Sequence, residues 1–155
     1  MNKNKRIIVT GGAGFIGSHA VVSLINDGFN PIIVDNLTNS NVKVKENIEY
    51  ITRKEIDFFQ TDIRDTDNLI NIFKSYDIDS VIHFAGLKSV NESIEEPLNY
   101  YANNINGTLS LIEAMKSCAV KNLVFSSSAT VYGEPEYLPI DEKHSVNPTN
   151  PYGYT

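Results

Sequence analysis

Short apolar runs rich in β-branched residues alternate along this chain with segments whose apolar positions recur every three or four residues. The first kind suits buried strands, and the second suits helices with one face turned inward. Arg6–Thr10 (RIIVT) is the first strand candidate. It runs into glycines and then a helix over about residues 14–27, with Ile16, Ala20, Val21, Leu24 and Ile25 as its apolar face and Gly28 at its end. Residues 31–35 form a second strand. Residues 36–47 are polar and read as a loop with room for a short helix. A third strand is expected at 56–60, then a helix at 65–76 with Leu69, Ile70, Phe73 and Tyr76 inward. A fourth strand follows at 79–84. After Pro97 comes a long helix with Leu98, Tyr101, Ile105, Leu109, Ile112 and Met115 at helical spacing, then a fifth strand at 122–126. Residues 133–151, rich in Pro, Asn and acidic residues, read as loop.

Five strands joined by helical crossovers imply an α/β fold with a parallel, doubly wound sheet. Right-handed crossovers lead to the three-layer αβα Rossmann arrangement, with expected strand order 3-2-1-4-5. In such sheets ligands sit at the carboxyl ends of the strands, where the order reverses. The candidate chemistry below falls at those ends.

Composition changes this picture little. The 155 residues are 41% hydrophobic and 21% charged, an ordinary globular balance, with net charge −6. The acidity argues against a nucleic-acid partner, while leaving room for an anion held by a helix N-terminus. Cys118 is the one cysteine, so no disulfide forms within the chain. The opening is too polar for a signal peptide, and no apolar run is long enough to span a membrane. The expected compartment is the cytoplasm, with no membrane partner and no metal site.

Gly11, Gly14 and Gly17 stand between the first strand and the first helix. Gly11 can make the tight turn, Gly14 can let backbone approach a pyrophosphate, and Gly17 can let the helix lie close to the sheet. Asp35, at the end of the second strand, can accept hydrogen bonds from both hydroxyls of an adenosine ribose. It would repel a 2′-phosphate, so NAD is expected and not NADP. Asp62 and Ile63, after the third strand, could touch an adenine, and Asp62 could equally cap the next helix. Lys88 is either a cation for the cofactor or a solvated surface residue. His83, inside an apolar strand, reads as a satisfied core histidine.

The spacing Gly11-x-x-Gly14-x-x-Gly17 resembles the extended short-chain dehydrogenase/reductase family of NAD-dependent epimerases and dehydratases. Longer segments resemble its UDP-galactose/UDP-glucose epimerase branch: Val34-Asp35-Asn36-Leu37 with Asn39-Ser40, Val81 to Val90, Tyr100 to Thr108, and Phe125 to Gly133. Related dehydratases carry an acid after the Thr of the last segment, and Ser128-Ala129-Thr130 leaves none. The resemblance implies that Phe15, Ile16, Asp35, Asn36, Leu37, Thr38, Asn39, Ser40, Asp62, Ile63, Phe84, Ala85, Gly86, Leu87 and Lys88 contact NAD, with Asn103 and Ser128 at the nicotinamide end. It implies Tyr152 as the catalytic base, touching cofactor and sugar, and Ser128 as its hydrogen-bonded partner. Lys88, Ser128 and Tyr152 would meet the substrate. The implied reaction interconverts UDP-glucose and UDP-galactose through a 4-keto sugar in a homodimeric enzyme. Another sugar-nucleotide epimerase or dehydratase, or a non-catalytic NAD-binding module, are the alternatives.

A free phenol has a pKa of about 10, so a phenolate needs a nearby cation. The family supplies a Lys four positions after the Tyr, which falls beyond Thr155. The expectation is a NAD-binding domain, residues 1–155, incomplete at its C-terminus and without the substrate domain. It should turn over very slowly, offer little pocket for the UDP-sugar and expose apolar surface beyond the fifth strand.

Overall fold

The computed structural model describes residues 6–155; the polar opening 1–5 lies outside them. The chain divides into two compact units, one made of residues 6–85 and 107–126, the other of 86–106 and 127–155.

The first unit is built on a five-stranded parallel sheet. Its strands are Arg6–Thr10 (β1), Asn30–Asp35 (β2), Asp57–Gln60 (β3), Ile78–His83 (β4) and Asn122–Phe125 (β5). The order β3-β2-β1-β4-β5 and every pairing are as the sequence pattern predicts. Its helices are Phe15–Asn26 (α1), Lys43–Thr52 (α2), Thr66–Lys74 (α3) and Gly107–Ser117 (α6). The two-residue alternation of β1 divides the core. Ile8 packs with Ile32, Val34, Val81 and the buried faces of α3 and α6. Ile7 and Val9 pack with Ile33 and with Val21, Ile25 and Ile48 of α1 and α2. Helices therefore cover both faces of the sheet, giving the three layers of a Rossmann domain.

Several helix readings need correction. Helix α2 begins at Lys43, in the polar stretch 36–47 that left room for a short helix, and runs on beyond it to Thr52. It buries only Ile48 and is supported by a Lys45–Glu49 ion pair one turn apart, so its apolar period is too thin to see in sequence. In α1, Ile16 is 54% exposed instead of inward. It lies in the first helical turn beside the glycines, ahead of the buried Val21 and Ile25. In α3, Ile72 joins Leu69 and Phe73 in the core, while Ile70 and Tyr76 pack half-buried against the same cluster, Tyr76 from past the helix end and edge-on to Phe59. Helix α6 buries Gly107, Leu111, Ala114 and Met115 and leaves Leu109 and Ile112 exposed. Of the long-helix face expected there, Met115 alone is buried. β5 leaves Val124 and Phe125 exposed.

The second unit holds Val90–Glu95 (α4), Pro97–Tyr100 (α5), a π-helical turn Tyr101–Asn106, a 3-10 turn Ala129–Tyr132 and Pro151–Tyr154 (α7). Ser93, Tyr100, Asn104 and Gly153 are buried in these helical segments, while Leu98 and Tyr101 point outward. Helix α4 was not expected. Ser89 caps it, accepting from the Glu92 N–H. Residues 133–150 are irregular, as the composition suggests, but they close on themselves around His144. Its Nε2 accepts from the Glu136 N–H at 2.9 Å, and the Tyr132 and Tyr137 rings flank it at 5.5 and 4.8 Å. No helix among the described residues is long and apolar enough to cross a membrane.

Candidate functional site

In the first unit, β1 ends in the glycine turn. Gly11 takes φ +67°, a conformation glycine adopts freely. Its N–H donates to the Val34 carbonyl at 2.8 Å, and a Cβ there would come within 2.6 Å of the Ala85 nitrogen. The turn is therefore pressed between the ends of β2 and β4. The Gly14 N–H closes it on the Gly11 carbonyl at 3.0 Å. A Cβ on Gly17 would overlap that same carbonyl. Gly17 therefore lets α1 sit close to its own entry turn, directly after the end of β1. Gly14 occupies the N-cap of α1 and supplies no side-chain cap, and the first turn carries no acid. A helix start of this kind leaves backbone N–H groups and partial positive charge for an anion.

Asp35 is buried at the end of β2. Its Oδ2 accepts from the Ala13 N–H at 3.0 Å, and Oδ1 from the Leu37 N–H and the Ser40 hydroxyl, both at 2.9 Å. The carboxylate thus ties the glycine turn to the 36–40 loop. Those bonds use three of its roughly four acceptor positions. Leu37 takes φ +61° in this loop, and Asn36 reaches the Asp62 carboxylate at 3.1 Å. Thr38 and Asn39 are exposed. Asp62 does not cap α3; Asp65 does. Asp62 instead takes two hydrogen bonds from the Arg64 guanidinium, at 2.9 and 2.8 Å, which hold its carboxyl well below the usual range. Ile63 is buried under Gly107, where a Cβ would meet its side chain at 2.5 Å. Phe15 is 77% exposed. His83 is a core histidine as expected. Its Nδ1 faces the Thr10 hydroxyl, its Nε2 faces Thr108 Oγ1 at 3.1 Å, and burial pushes its pKa down to about 4.

In the second unit, Ser128 caps the 3-10 turn. Its Oγ accepts from the Thr130 N–H at 3.2 Å and the Thr130 hydroxyl at 3.0 Å. Tyr152 is the second residue of α7, which Asn150 caps by accepting the Gly153 N–H on its Oδ1 at 2.9 Å. Gly153 lies against the 3-10 turn, where a Cβ would stand 2.8 Å from the Thr130 carbonyl. The segments bearing Ser128 and Tyr152 therefore meet. The Tyr152 ring lies edge-on to the buried Tyr100, with centroids 6.3 Å apart. Tyr100 donates to Glu92 at 2.8 Å and accepts from the Ser89 N–H at 2.9 Å. Its pKa is raised, first by burial and then by the bond to Glu92. Lys88 is exposed, and Leu87 and Asn103 are both hydrogen-bonded to the buried Asn104. Sequence reasoning passed over Asn104, because two adjacent asparagines at helical positions say nothing about which one turns inward.

The sequence profile described as GDP-mannose 4,6 dehydratase matches residues 8–155. The UDP-glucose 4-epimerase of Dictyostelium discoideum is 56% identical over 150 residues, 97% of this chain and 44% of that protein. The structure of UDP-glucose 4-epimerase from Bifidobacterium longum in complex with NAD+ and UDP aligns with TM-score 0.95 and 47% identity, covering 97% of this chain and 45% of that one. The enzyme of Stenotrophomonas maltophila with bound NAD and formylated UDP-arabinopyranose aligns with TM-score 0.95 and 46% identity, covering 97% and 45%. The chain thus spans somewhat less than half the length of these relatives.

Proposed function

The chain belongs to the GDP-mannose 4,6-dehydratase family, and on that footing we propose that it is the NAD-binding part of an enzyme interconverting UDP-glucose and UDP-galactose. The absence of an acid in Ser128-Ala129-Thr130 favours epimerisation over dehydration. The relatives named above are epimerases.

The residues fit NAD. The glycine turn would hold the pyrophosphate on N–H groups at the start of α1. Asp35 has acceptor capacity left for the adenosine ribose and carries charge against a 2′-phosphate. Phe15 and Ile16, the 36–40 loop, Asp62, Ile63, Phe84 to Lys88, Asn103, Ser128 and Tyr152 complete the proposed contacts. Bound there, NAD would supply the reversible hydride chemistry that epimerisation at C4 of the sugar requires. Tyr152 holds the proton of the 4-hydroxyl, and Ser128 shares that hydrogen bond. Lys88 meets the substrate. The phenolate needs a cation, which in this family follows the Tyr by four positions. Most uridine and sugar contacts would come from the larger part of the relatives' length, outside the matched stretch. Leu109 and Ile112 in the first unit, and Leu98 and Tyr101 in the second, are apolar and exposed, which supports a homodimer. A cytoplasmic setting suits the lone cysteine.

The carrying observation is the glycine turn bonded through Ala13 to the buried Asp35. Calorimetric titration tests it. NAD should bind at least tenfold more tightly than NADP, and Asp35→Ser should erase the preference. Equal affinity for the two cofactors in the parent chain would sink the reading.

A further inference from the structure

We infer that His144 is a positioning residue: with its ring neutral and its proton on Nδ1, it closes the 133–150 segment and so fixes the stretch of chain that joins Ser128 to Tyr152. What this means for catalysis rests on the reading above; the geometry does not. Between Glu134 and Asn147 every residue is exposed except His144, which is 5% exposed. The stretch has no helix or strand of its own, so this one buried side chain organises it. A buried polar ring holds its place only with its nitrogens paired.

Both nitrogens face backbone groups of fixed polarity. The Glu136 N–H, 2.9 Å from Nε2, can only donate, so Nε2 must be bare. The Ser145 carbonyl, 2.9 Å from Nδ1, can only accept, so Nδ1 must carry the proton. A second proton on the ring would set two donors against each other at Glu136. The bond that closes the segment therefore exists only for the neutral ring.

Tyr132 faces the ring from the 3-10 turn, and Tyr137 from the segment itself. The nearby carboxylates serve other donors. Glu136 accepts from the Ser145 hydroxyl at 2.6 Å, and Asp141 accepts from the Tyr137 hydroxyl at 2.8 Å and the Lys143 N–H at 3.0 Å. Glu134, Glu142 and Lys143 are the segment's other charged groups, and all are exposed. At its base the segment meets both proposed catalytic elements. The Asn147 N–H donates to the Val131 carbonyl in the 3-10 turn that Ser128 caps, at 3.0 Å. Pro148 lies against Gly153 of α7, 2.9 Å from where a Cβ would stand. Opening at His144 loosens the residues on which that turn and α7 rest.

Three forms of the chain test this: the parent, His144→Gln, whose amide oxygen can accept the Glu136 N–H without titrating, and His144→Phe, which keeps a ring but no acceptor. The ¹⁵N signals of the His144 ring, hydrogen exchange at the Glu136 amide and the ring signal of ¹³C-labelled Tyr152 are followed from pH 8 to pH 5, the range in which histidines commonly change charge. At pH 8 the parent should show Nδ1 protonated and Nε2 bare. Its Glu136 protection should fall at least tenfold as the ring charges, and the Tyr152 signal should move with the same midpoint. His144→Gln should keep Glu136 protection within threefold across the range and hold the Tyr152 signal still. His144→Phe should lose protection at least tenfold already at pH 8 and carry the Tyr152 signal to the parent's position at pH 5. The inference is overturned if the ring nitrogens report the opposite tautomer, if the Tyr152 signal moves with pH as much in His144→Gln as in the parent, or if His144→Phe leaves protection and Tyr152 signal as in the parent. If His144→Phe does not fold, the parent and His144→Gln decide. A parent chain that binds no NAD defeats the functional reading instead, and these signals, which need no cofactor, still judge the positioning.

Discussion

A methyl group at Gly17 would overlap the Gly11 carbonyl, so the turn and α1 could not keep their present separation. Gly17→Ala is expected to destabilise the chain by roughly 1–3 kcal/mol, as overpacking does, and to weaken NAD binding more than its stability loss accounts for. Urea unfolding and calorimetry together check this. Sequence spacing identified the residue, but its partner is the turn's own carbonyl, which spacing cannot reveal. His83 carries a different prediction. Its folded pKa of about 4 lies below that of a free histidine, because burial disfavours the charged ring. Between pH 6.5 and 4 the unfolded chain therefore binds more protons than the folded one. The stability contribution is complete above about pH 6.5. It falls as pH drops through that window, by a total on the order of 3 kcal/mol. His83→Gln should flatten that part of the profile in urea titrations at pH 7, 6 and 5. An unchanged slope would mean that other groups carry it.

Among elements, the strands were the most legible and the helix faces the least. Each strand candidate coincides with an observed strand to within a residue at either end, because buried parallel strands are apolar on both faces and stand out as continuous runs. Helix α6 carries apolar residues on more than one face, and its period alone cannot say which turns inward. The structure buries Leu111 and Ala114 against Leu69 and Phe73 of α3 and leaves Leu109 and Ile112 outside. Exposed positions tolerate charge. Leu109→Lys with Ile112→Glu should change unfolding stability by less than about 1 kcal/mol, yet abolish concentration-dependent association in sedimentation. A large loss of stability would show that this face is covered within one chain. β5 has the related property that Val124 and Phe125 are exposed. Val124→Lys should raise the soluble yield of the isolated 155 residues, read as the supernatant fraction after centrifugation, and an unchanged yield would place the aggregation-prone surface elsewhere.

For the molecule as a whole, the expectation is binding without brisk chemistry. The 155 residues carry the glycine turn, Asp35, Ser128 and Tyr152, and span somewhat less than half the length of the relatives they match. Assayed alone with UDP-galactose, they should bind NAD and turn over at least a thousandfold more slowly than their longer relatives. Turnover at the relatives' rate would refute the need for a cation after Tyr152. Sequence by itself determined the strand order, the three layers, the glycine turn and the residue types gathered at the strand ends. These follow from local periodicity and from turn chemistry that few residues satisfy. Tertiary structure alone decided which stripe of α6 is buried, that a thinly apolar segment becomes α2, and that Asn104 and not a neighbour clamps Leu87, 17 residues away. The physical reason is that burial and side-chain hydrogen bonding are settled by partners distant in the chain, as with Thr10 and His83, 73 residues apart. Periodicity describes an element's faces, while only packing selects among them.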